Sequence, residues 1–242
     1  MKVLIISDIH ANLTALEAVL ADCGSFDAVW CLGDVVGYGP DPNECVELVR
    51  SLPNLVCILG NHDAAALGEL ELESFNYDAQ LSTLWTQQTL TETNRRFLLK
   101  LPEAQTLDQV TLAHGSPRNP VWEYVLDTYT ARANFQFFST PFCFVGHSHL
   151  PLAFFQKEDQ SEVMMQIFHE DQTITLKPRA IINPGSVGQP RDHDPRSSYA
   201  IYDTTSQRWE FRRASYAVST VQERIRRAGL PDRHALRLSY GW

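Results

Sequence analysis

The sequence lacks the long apolar run that a membrane span needs; none of its hydrophobic stretches approaches ~18 residues. The apolar start, Met1-Lys2-Val3-Leu4-Ile5-Ile6, stops at Ser7-Asp8. That is short of the ~7–15 residues of a signal-peptide core, and no small-residue cleavage site follows. A CxxC pair is also missing. The five cysteines (Cys23, Cys31, Cys45, Cys57, Cys143) are odd in number, and several sit inside apolar runs. There a free thiol behaves as a small buried hydrophobe, and a chain without a disulfide framework reads as cytoplasmic. Positive charge is in deficit, with 20 Lys and Arg against 29 Asp and Glu, a net charge of −9. Such a surface argues against stable binding to nucleic acid or to anionic membranes. It leaves room for a local cationic pocket or for a metal ion that supplies the missing charge.

What is present is ordinary for a globular chain: 44% hydrophobic and 20% charged residues over 242 positions. No repeat, linker or low-complexity tract divides it, so residues 1–242 read as a single domain. The first sixty residues alternate. Strands are expected at 2–7, 28–32 and 55–59, and helices at 12–21 and 43–51. Leu13, Leu16, Ala18 and Leu20 share a helical face, and Asn12 is a candidate N-cap. This order calls for right-handed crossovers in a mainly parallel sheet. Residues 64–101 read as mostly helical, with helices at 79–90 and 91–101. Strands at 109–113 and 142–145 flank a helix near 128–138. From 152 to 211, short alternating segments predict a second, largely antiparallel sheet. A basic helix over 217–228 follows, with Arg224, Arg226 and Arg227 read as a solvated face. The last dozen residues carry no clear pattern.

Five short motifs fall where an expected strand meets a loop: Asp8-Ile9-His10, Gly33-Asp34, Gly60-Asn61-His62-Asp63, His114-Gly115 and Gly146-His147-Ser148-His149. Ligands of α/β sheets bind beyond the carboxyl ends of strands, so all five are expected at one edge. Asp and Asn offer oxygen, and His offers a neutral imidazole nitrogen. On an extended segment the two side chains of DxH or HxH point the same way. Singly, each motif is more often a turn or a capped loop. Together, in order and each after an apolar strand, they form a donor set: Asp8, His10, Asp34, Asn61, His114, His147 and His149. Seven ligands are too many for one catalytic ion and suit two ions sharing a carboxylate, ~3.5–4 Å apart. With no thiolate among them, the set fits manganese first, with iron, zinc, nickel or magnesium as alternatives.

Asp8-x-His10, Gly33-Asp34, Gly60-Asn61-His62, His114 and Gly146-His147-x-His149 resemble the calcineurin-like metallophosphoesterase superfamily. Asn183-Pro184-Gly185-Ser186-Val187-Gly188-Gln189-Pro190-Arg191 resembles the site-closing loop of its small bacterial and archaeal members, the YfcE-type phosphodiesterases. The resemblance implies an α/β fold of the α+β kind, a four-layer α/β/β/α sandwich of two mixed sheets flanked by helices. It implies that Asp8, His10 and His149 hold one ion, that Asn61, His114 and His147 hold the other, and that Asp34 bridges both. His62 is implied beside the leaving group, with Asp63 as a candidate orienting group. The implied reaction is attack of a metal-bridging hydroxide on the phosphorus of a small-molecule or nucleotide phosphoester.

Protein phosphatases of this superfamily carry GDxVDRG, whereas this chain has Gly37 and Tyr38 where they have Asp and Arg. Phosphate grip must then come from elsewhere. Arg118 and Arg191 are the candidates, because a guanidinium fork matches phosphate oxygens, and Asn12 is a weaker one. Tyr38, Trp122 and Tyr124 are candidates to line a pocket for a base. His169, His193 and His234 lie outside the motifs and read as ordinary, although His193 sits in a polar loop beside Arg191. A phosphodiesterase is the leading expectation. A phosphomonoesterase or protein phosphatase, or a protein-binding scaffold on the same fold, are the alternatives.

Overall fold

The expected alternation is present in a computed structural model, which describes residues 1–169 and 171–242. The first half runs β1 (Lys2–Ile6), α1 (Leu13–Asp22), β2 (Ala28–Cys31), α2 (Pro42–Ser51), β3 (Leu55–Cys57), α3 (Asn61–Leu67), α4 (Tyr77–Thr89), α5 (Glu92–Leu98), β4 (Ala104–Thr106) and β5 (Val110–Ala113). The second half runs α6 (Thr128–Asn134), β6 (Phe142–Phe144), β7 (Pro151–Gln156), β8 (Val163–Ile167), β9 (Gln172–Thr175), β10 (Ala180–Pro184), β11 (Ser197–Asp203), β12 (Arg208–Ala214), α7 (Val218–Arg227) and α8 (Asp232–Tyr240).

Two mixed sheets result, in the orders β3-β2-β1-β11-β12-β9 and β4-β5-β6-β10-β7-β8. In the first, β1, β2 and β3 are parallel and β11 returns antiparallel beside β1. In the second, β5, β6 and β10 are parallel. Two expectations are corrected here. The segments after residue 152 do not build a sheet of their own. β7, β8 and β10 join the second sheet while β9, β11 and β12 join the first. The five motifs therefore hang on two sheets, three on the first and two on the second, and meet across the sandwich. The unpatterned tail contains α8, and the 128–138 helix ends at Asn134 in a 3-10 turn, Phe135–Phe137.

Strand alternation decides which layer each side chain fills. Val3 and Ile5 face the interior between the sheets, with Trp30, Phe142, Phe144, Tyr202 and Trp209. Leu4 and Ile6 face the other way, onto Leu16 and Val19 of α1 and Val46 and Val49 of α2. Cys143 of β6 turns outward onto Ala131 and Phe135 beside α6. Burying each such large side chain contributes about 1.5–3 kcal/mol. All five cysteines are free and buried, as their apolar neighbourhoods predicted. Among the described residues no helix is long and apolar enough to cross a membrane. α7 and α8 pack on each other through Val221, Ile225, Leu230, Ala235 and Leu238. Arg226 and Arg227 of α7 are exposed, as expected, while the partly exposed Arg224 pairs with the buried Asp41.

The loop after β10 stitches the sandwich shut. Val187 N–H donates to the Ser7 carbonyl at 3.0 Å and Gly188 N–H to that of Asp8 at 2.9 Å. A Cβ on Gly188 would strike the Ile9 carbonyl oxygen. Gly188→Ala is therefore expected to destabilise the protein by about 1–3 kcal/mol, read as a lower urea midpoint. An unchanged midpoint would show that the loop has room to give.

Candidate metal centre

Asp8, His10, Asp34, Asn61, His62, His114, His147 and His149 are all buried and all lie just past a strand end. Their convergence requires an unusual backbone. Asp8, His10, Asp34, His147 and His149 have φ of 54, 50, 54, 65 and 60°. A non-glycine residue pays about 1–2 kcal/mol for that left-handed conformation. The side chains of DxH and HxH thus converge because the chain curls left-handed past the strand, and not through the two-residue period of an extended segment. The strain is held by interlocked loops: Asp8 N–H donates to Gly33 O at 3.1 Å, His10 N–H to Asp34 O at 2.9 Å and Gly146 N–H to His114 O at 2.8 Å.

Asp34 sits in the middle. Its Oδ1 accepts from the His62 backbone N–H at 2.8 Å. Its Oδ2 has no well-formed hydrogen bond and lies 3.2 Å from His114 Nε2 and 3.7 Å from His10 Nε2. On one side, Asp8 Oδ1 lies 3.3 Å from His149 Nε2 and 3.8 Å from His10 Nε2. On the other, His114 Nε2 lies 3.1 Å from Asn61 Oδ1. Donor atoms of Asp8, His10 and His149 fall within 4.8 Å of one another, as do those of Asp34, His114 and His147 and those of His10, Asp34 and His62.

The imidazoles are oriented from behind. Nδ1 of His10, His114 and His149 meets the carbonyls of Val36, Leu32 and Gln189 at 3.2, 2.7 and 2.5 Å. A carbonyl only accepts, so each Nδ1 carries a proton, and the His10 and His149 rings, which burial holds neutral, aim an Nε2 lone pair inward. His147 is reversed. Its Nε2 donates to the Trp122 carbonyl at 3.1 Å, leaving Nδ1 as the free donor atom, and Tyr124 stacks on its ring at 3.9 Å. His10 Nε2 and His149 Nε2 face each other at 3.1 Å. Burial holds both rings well below the ordinary imidazole range, so no proton sits between them. Two lone pairs at that distance repel unless a cation lies against both. That arrangement, with the orphaned Asp34 Oδ2, fits a divalent metal ion.

Charge elsewhere in the cluster agrees. Burial alone would lower His114, yet the Asp34 carboxylate pushes it up to about 10. Burial alone would raise Asp34, yet His114, His62 and His10 hold it below the usual carboxylate range. Burial, with Asp34 adding to it, raises Asp8 to about 7. A metal ion entering this cluster displaces the proton held between His114 and Asp34.

The weaker candidates separate clearly. Arg191 approaches the centre, with Nη2 at 3.4 Å from both Tyr38 Oη and Gln189 Oε1 and a buried Nε that has no partner. Arg118 is turned away, its Nε and Nη2 both on Glu123. Both ends of the Asn12 amide are engaged. Oδ1 caps α1 through Ala15 N–H at 3.1 Å and Nδ2 donates to Gly188 O at 2.9 Å. Asp63 does not orient His62; its carboxylate accepts from the backbone N–H groups of Val36 and Gly60, at 3.0 and 3.1 Å. Gly37, at φ 96°, leaves the space His62 fills, since a Cβ there would lie 2.8 Å from His62 Nδ1. Tyr38 packs against His62 at 4.3 Å, His10 at 4.6 Å and His234 at 4.8 Å. His234, read from sequence as ordinary, thus closes the wall of the centre. Its signal was the spacing His234, Ala235, Leu238, the buried face of α8. Asn183 and Ser186 also support the motifs, through Gly146 O at 2.6 Å and Asp8 O at 2.8 Å.

Residues 1–207 match the calcineurin-like phosphoesterase superfamily domain. The chain belongs to that superfamily. It is a metallophosphoesterase, a hydrolase of phosphoric esters. A metallophosphoesterase from Sphaerobacter thermophilus is 47% identical, with a TM-score of 0.92 over 100% of this chain and 99% of that one. An uncharacterized protein from Methanocaldococcus jannaschii is 38% identical over 98% of this chain and 97% of its own length. A symmetrical bis(5'-nucleosyl)-tetraphosphatase from Pectobacterium carotovorum is 41% identical over 68 residues, 26% of this chain and 24% of that enzyme.

In this phosphoesterase Glu123 also ties down the segment between two motifs, accepting from Ser116 Oγ at 2.7 Å and Asn134 Nδ2 at 2.8 Å besides Arg118. Burial opposes ionisation, but Arg118, Asn134 and Ser116 together lower the carboxyl from 4.5 to about 2. A carboxyl lowered in the folded state stabilises above its unfolded pKa and stops doing so as pH falls through the folded one. The difference in urea midpoint between the natural protein and Glu123→Gln is expected to be full at neutral pH and to vanish between about pH 4.5 and 2. A pH-independent difference would remove the carboxylate from the account.

Proposed function

We propose that the cluster holds two divalent ions and that the enzyme hydrolyses small-molecule or nucleotide phosphodiesters. The observation that carries this reading is the position of Asp34. Its carboxylate lies between the Asp8, His10 and His149 group and the His114, His147 and Asn61 group. Asp8, His10 and His149 would hold one ion, Asn61, His114 and His147 the other, with Asp34 shared. The nitrogen and oxygen donors, without thiolate, favour manganese. When bound, the ions supply Lewis acidity toward the phosphoryl oxygens and a hydroxide nucleophile at neutral pH.

The chain's own groups do the rest. Arg191 offers its guanidinium to the non-bridging oxygens, whose charge grows in the transition state. His62 is fixed by its backbone bond to Asp34 and by packing against Tyr38 and Phe75. Burial lowers its pKa to about 4, so it is neutral at pH 7 and serves as an N–H donor to the leaving oxygen. Hydrolysis would break the bond between phosphorus and the leaving oxygen, to which the His62 N–H would hydrogen-bond as its charge develops, and would give an alcohol and a phosphomonoester. Gly37 and Tyr38, in place of an Asp and an Arg, favour this over protein phosphatase action. The 68-residue likeness to a tetraphosphatase favours a nucleotide substrate. Five buried free thiols favour a cytoplasmic setting.

Metal-stripped protein reconstituted with Mn²⁺ is expected to bind two ions per chain and to hydrolyse bis(p-nitrophenyl) phosphate, losing activity in EDTA. Asp34→Ala should retain at most one ion by elemental analysis; two retained ions would remove the bridge. His62→Ala should slow alkyl diesters about 10²–10⁴-fold and nitrophenyl diesters much less, because nitrophenolate leaves unaided. Equal losses would contradict a role at the leaving oxygen.

A further inference from the structure

Tyr38 is a bulky residue on a backbone that bulky residues seldom adopt. Its φ is 59°, directly after Gly37 at 96°. A side chain of that size keeps a left-handed conformation only where its surroundings fix it. Here they do. Gly39 N–H donates to the His10 carbonyl at 3.1 Å, and a Cβ on Gly39 would collide with that oxygen. The His234 ring stands beside Tyr38 at 4.8 Å and is itself tied to α4, its Nε2 donating to the Asp78 carbonyl at 3.1 Å. The phenol is thereby held buried against the metal centre.

Two groups of the centre lean on it. The first is His62. Carbonyls orient the rings of His10, His114 and His149, but among the described residues no hydrogen bond reaches the His62 ring, and its buried Nδ1 has no partner. What sets that ring is packing, with Tyr38 at 4.3 Å and Phe75 at 5.0 Å. The second is Arg191. A guanidinium only donates. Its Nη2 reaches Tyr38 Oη and Gln189 Oε1, both at 3.4 Å, and its buried Nε has no partner. The Tyr38 hydroxyl is thus one of two side-chain acceptors that aim the fork.

We infer that Tyr38 is a positioning residue for both ends of the reacting phosphoryl group: its hydroxyl aims Arg191 at the non-bridging oxygens, and its ring holds the His62 imidazole toward the leaving oxygen. The inference rests on the roles given above to Arg191 and His62. Groups fixed in place before substrate arrives need no reorganisation in the transition state. The two halves use different parts of one side chain, so substitution separates them.

The test measures kcat and KM of Mn²⁺-loaded natural protein, Tyr38→Phe and Tyr38→Leu on two pairs of esters. One pair is bis(p-nitrophenyl) phosphate and diphenyl phosphate; the other is p-nitrophenyl phosphate and phenyl phosphate. Tyr38→Phe keeps the ring and is expected to lose about fivefold in kcat/KM on every ester turned over, the scale of one hydrogen bond to a charged group, with the nitrophenyl-to-phenyl ratio unmoved. Arg191→Gln should then cost about fivefold less in the Tyr38→Phe background than in the natural protein. Tyr38→Leu should in addition raise the nitrophenyl-to-phenyl ratio about tenfold, because only the poorer leaving group needs a well-placed His62. Tyr38→Met carries the same expectation where Tyr38→Leu does not fold. Additive losses in the double variant overturn the role of the hydroxyl, and an unmoved ratio without the ring overturns the role of the ring. A binding measurement needs no turnover. Inorganic phosphate titrated calorimetrically into the Mn²⁺-loaded proteins should bind Tyr38→Phe about fivefold more weakly than the natural protein, and equal binding overturns the role of the hydroxyl. Turnover of the monoester pair alone, with these differences intact, overturns only the phosphodiesterase reading.

Discussion

A dry cluster of imidazoles and carboxylates is unfavourable on its own terms, and the rest of the molecule is organised around holding it. Asp34 and Asp8 are fully buried carboxylates, and His10 and His149 turn lone pairs toward each other at 3.1 Å. Water cannot screen these groups, so each must be satisfied by a neighbour or by an ion. The protein supplies the fixed part from behind: three carbonyls orient three imidazoles, and backbone N–H groups of His62 and His147 hold the two carboxylates. What is left over points inward and is of the wrong sign to remain alone. Metal dependence of the superfamily is, in this chain, a consequence of that electrostatic imbalance.

The same imbalance explains why strain gathers at the motif residues. A left-handed φ at Asp8, His10, Asp34, His147 and His149 persists only where the surroundings over-determine it. Here the surroundings are two sheets whose strand ends interlock through short backbone bonds, closed by the 183–191 loop and capped by α8. Stability is generated in the three apolar layers and drawn down at one edge, where donors are forced together.

Much of the architecture was legible because its causes are local. Val3 and Ile5 alternate with Leu4 and Ile6, and that period by itself assigns two faces of β1 to two cores. Asn12 announces the start of α1 by residue type. The donor set was legible for a different reason: oxygen and imidazole groups after five apolar strands have few joint explanations. Less legible were the partners of the later strands. Nothing in β9, β11 or β12 says which sheet they join, since antiparallel pairing is a choice among distant edges. The unpatterned tail was hardest. The buried face of α8 is only three residues wide, and what it covers is fixed by a glycine and a loop some fifty positions earlier.

The sequence by itself determined the kinds of atom available, their order along the chain and the alternation that makes two faces of each strand, because these depend on residue type and near neighbours. The tertiary structure decided which atoms meet. It turned Arg118 onto Glu123 and Arg191 toward the centre, diverted Asp63 to backbone caps, engaged both ends of the Asn12 amide and set His234 at the wall. Those outcomes rest on contacts between residues far apart in the chain, where a side chain's direction follows from whatever the packed layers leave open to it.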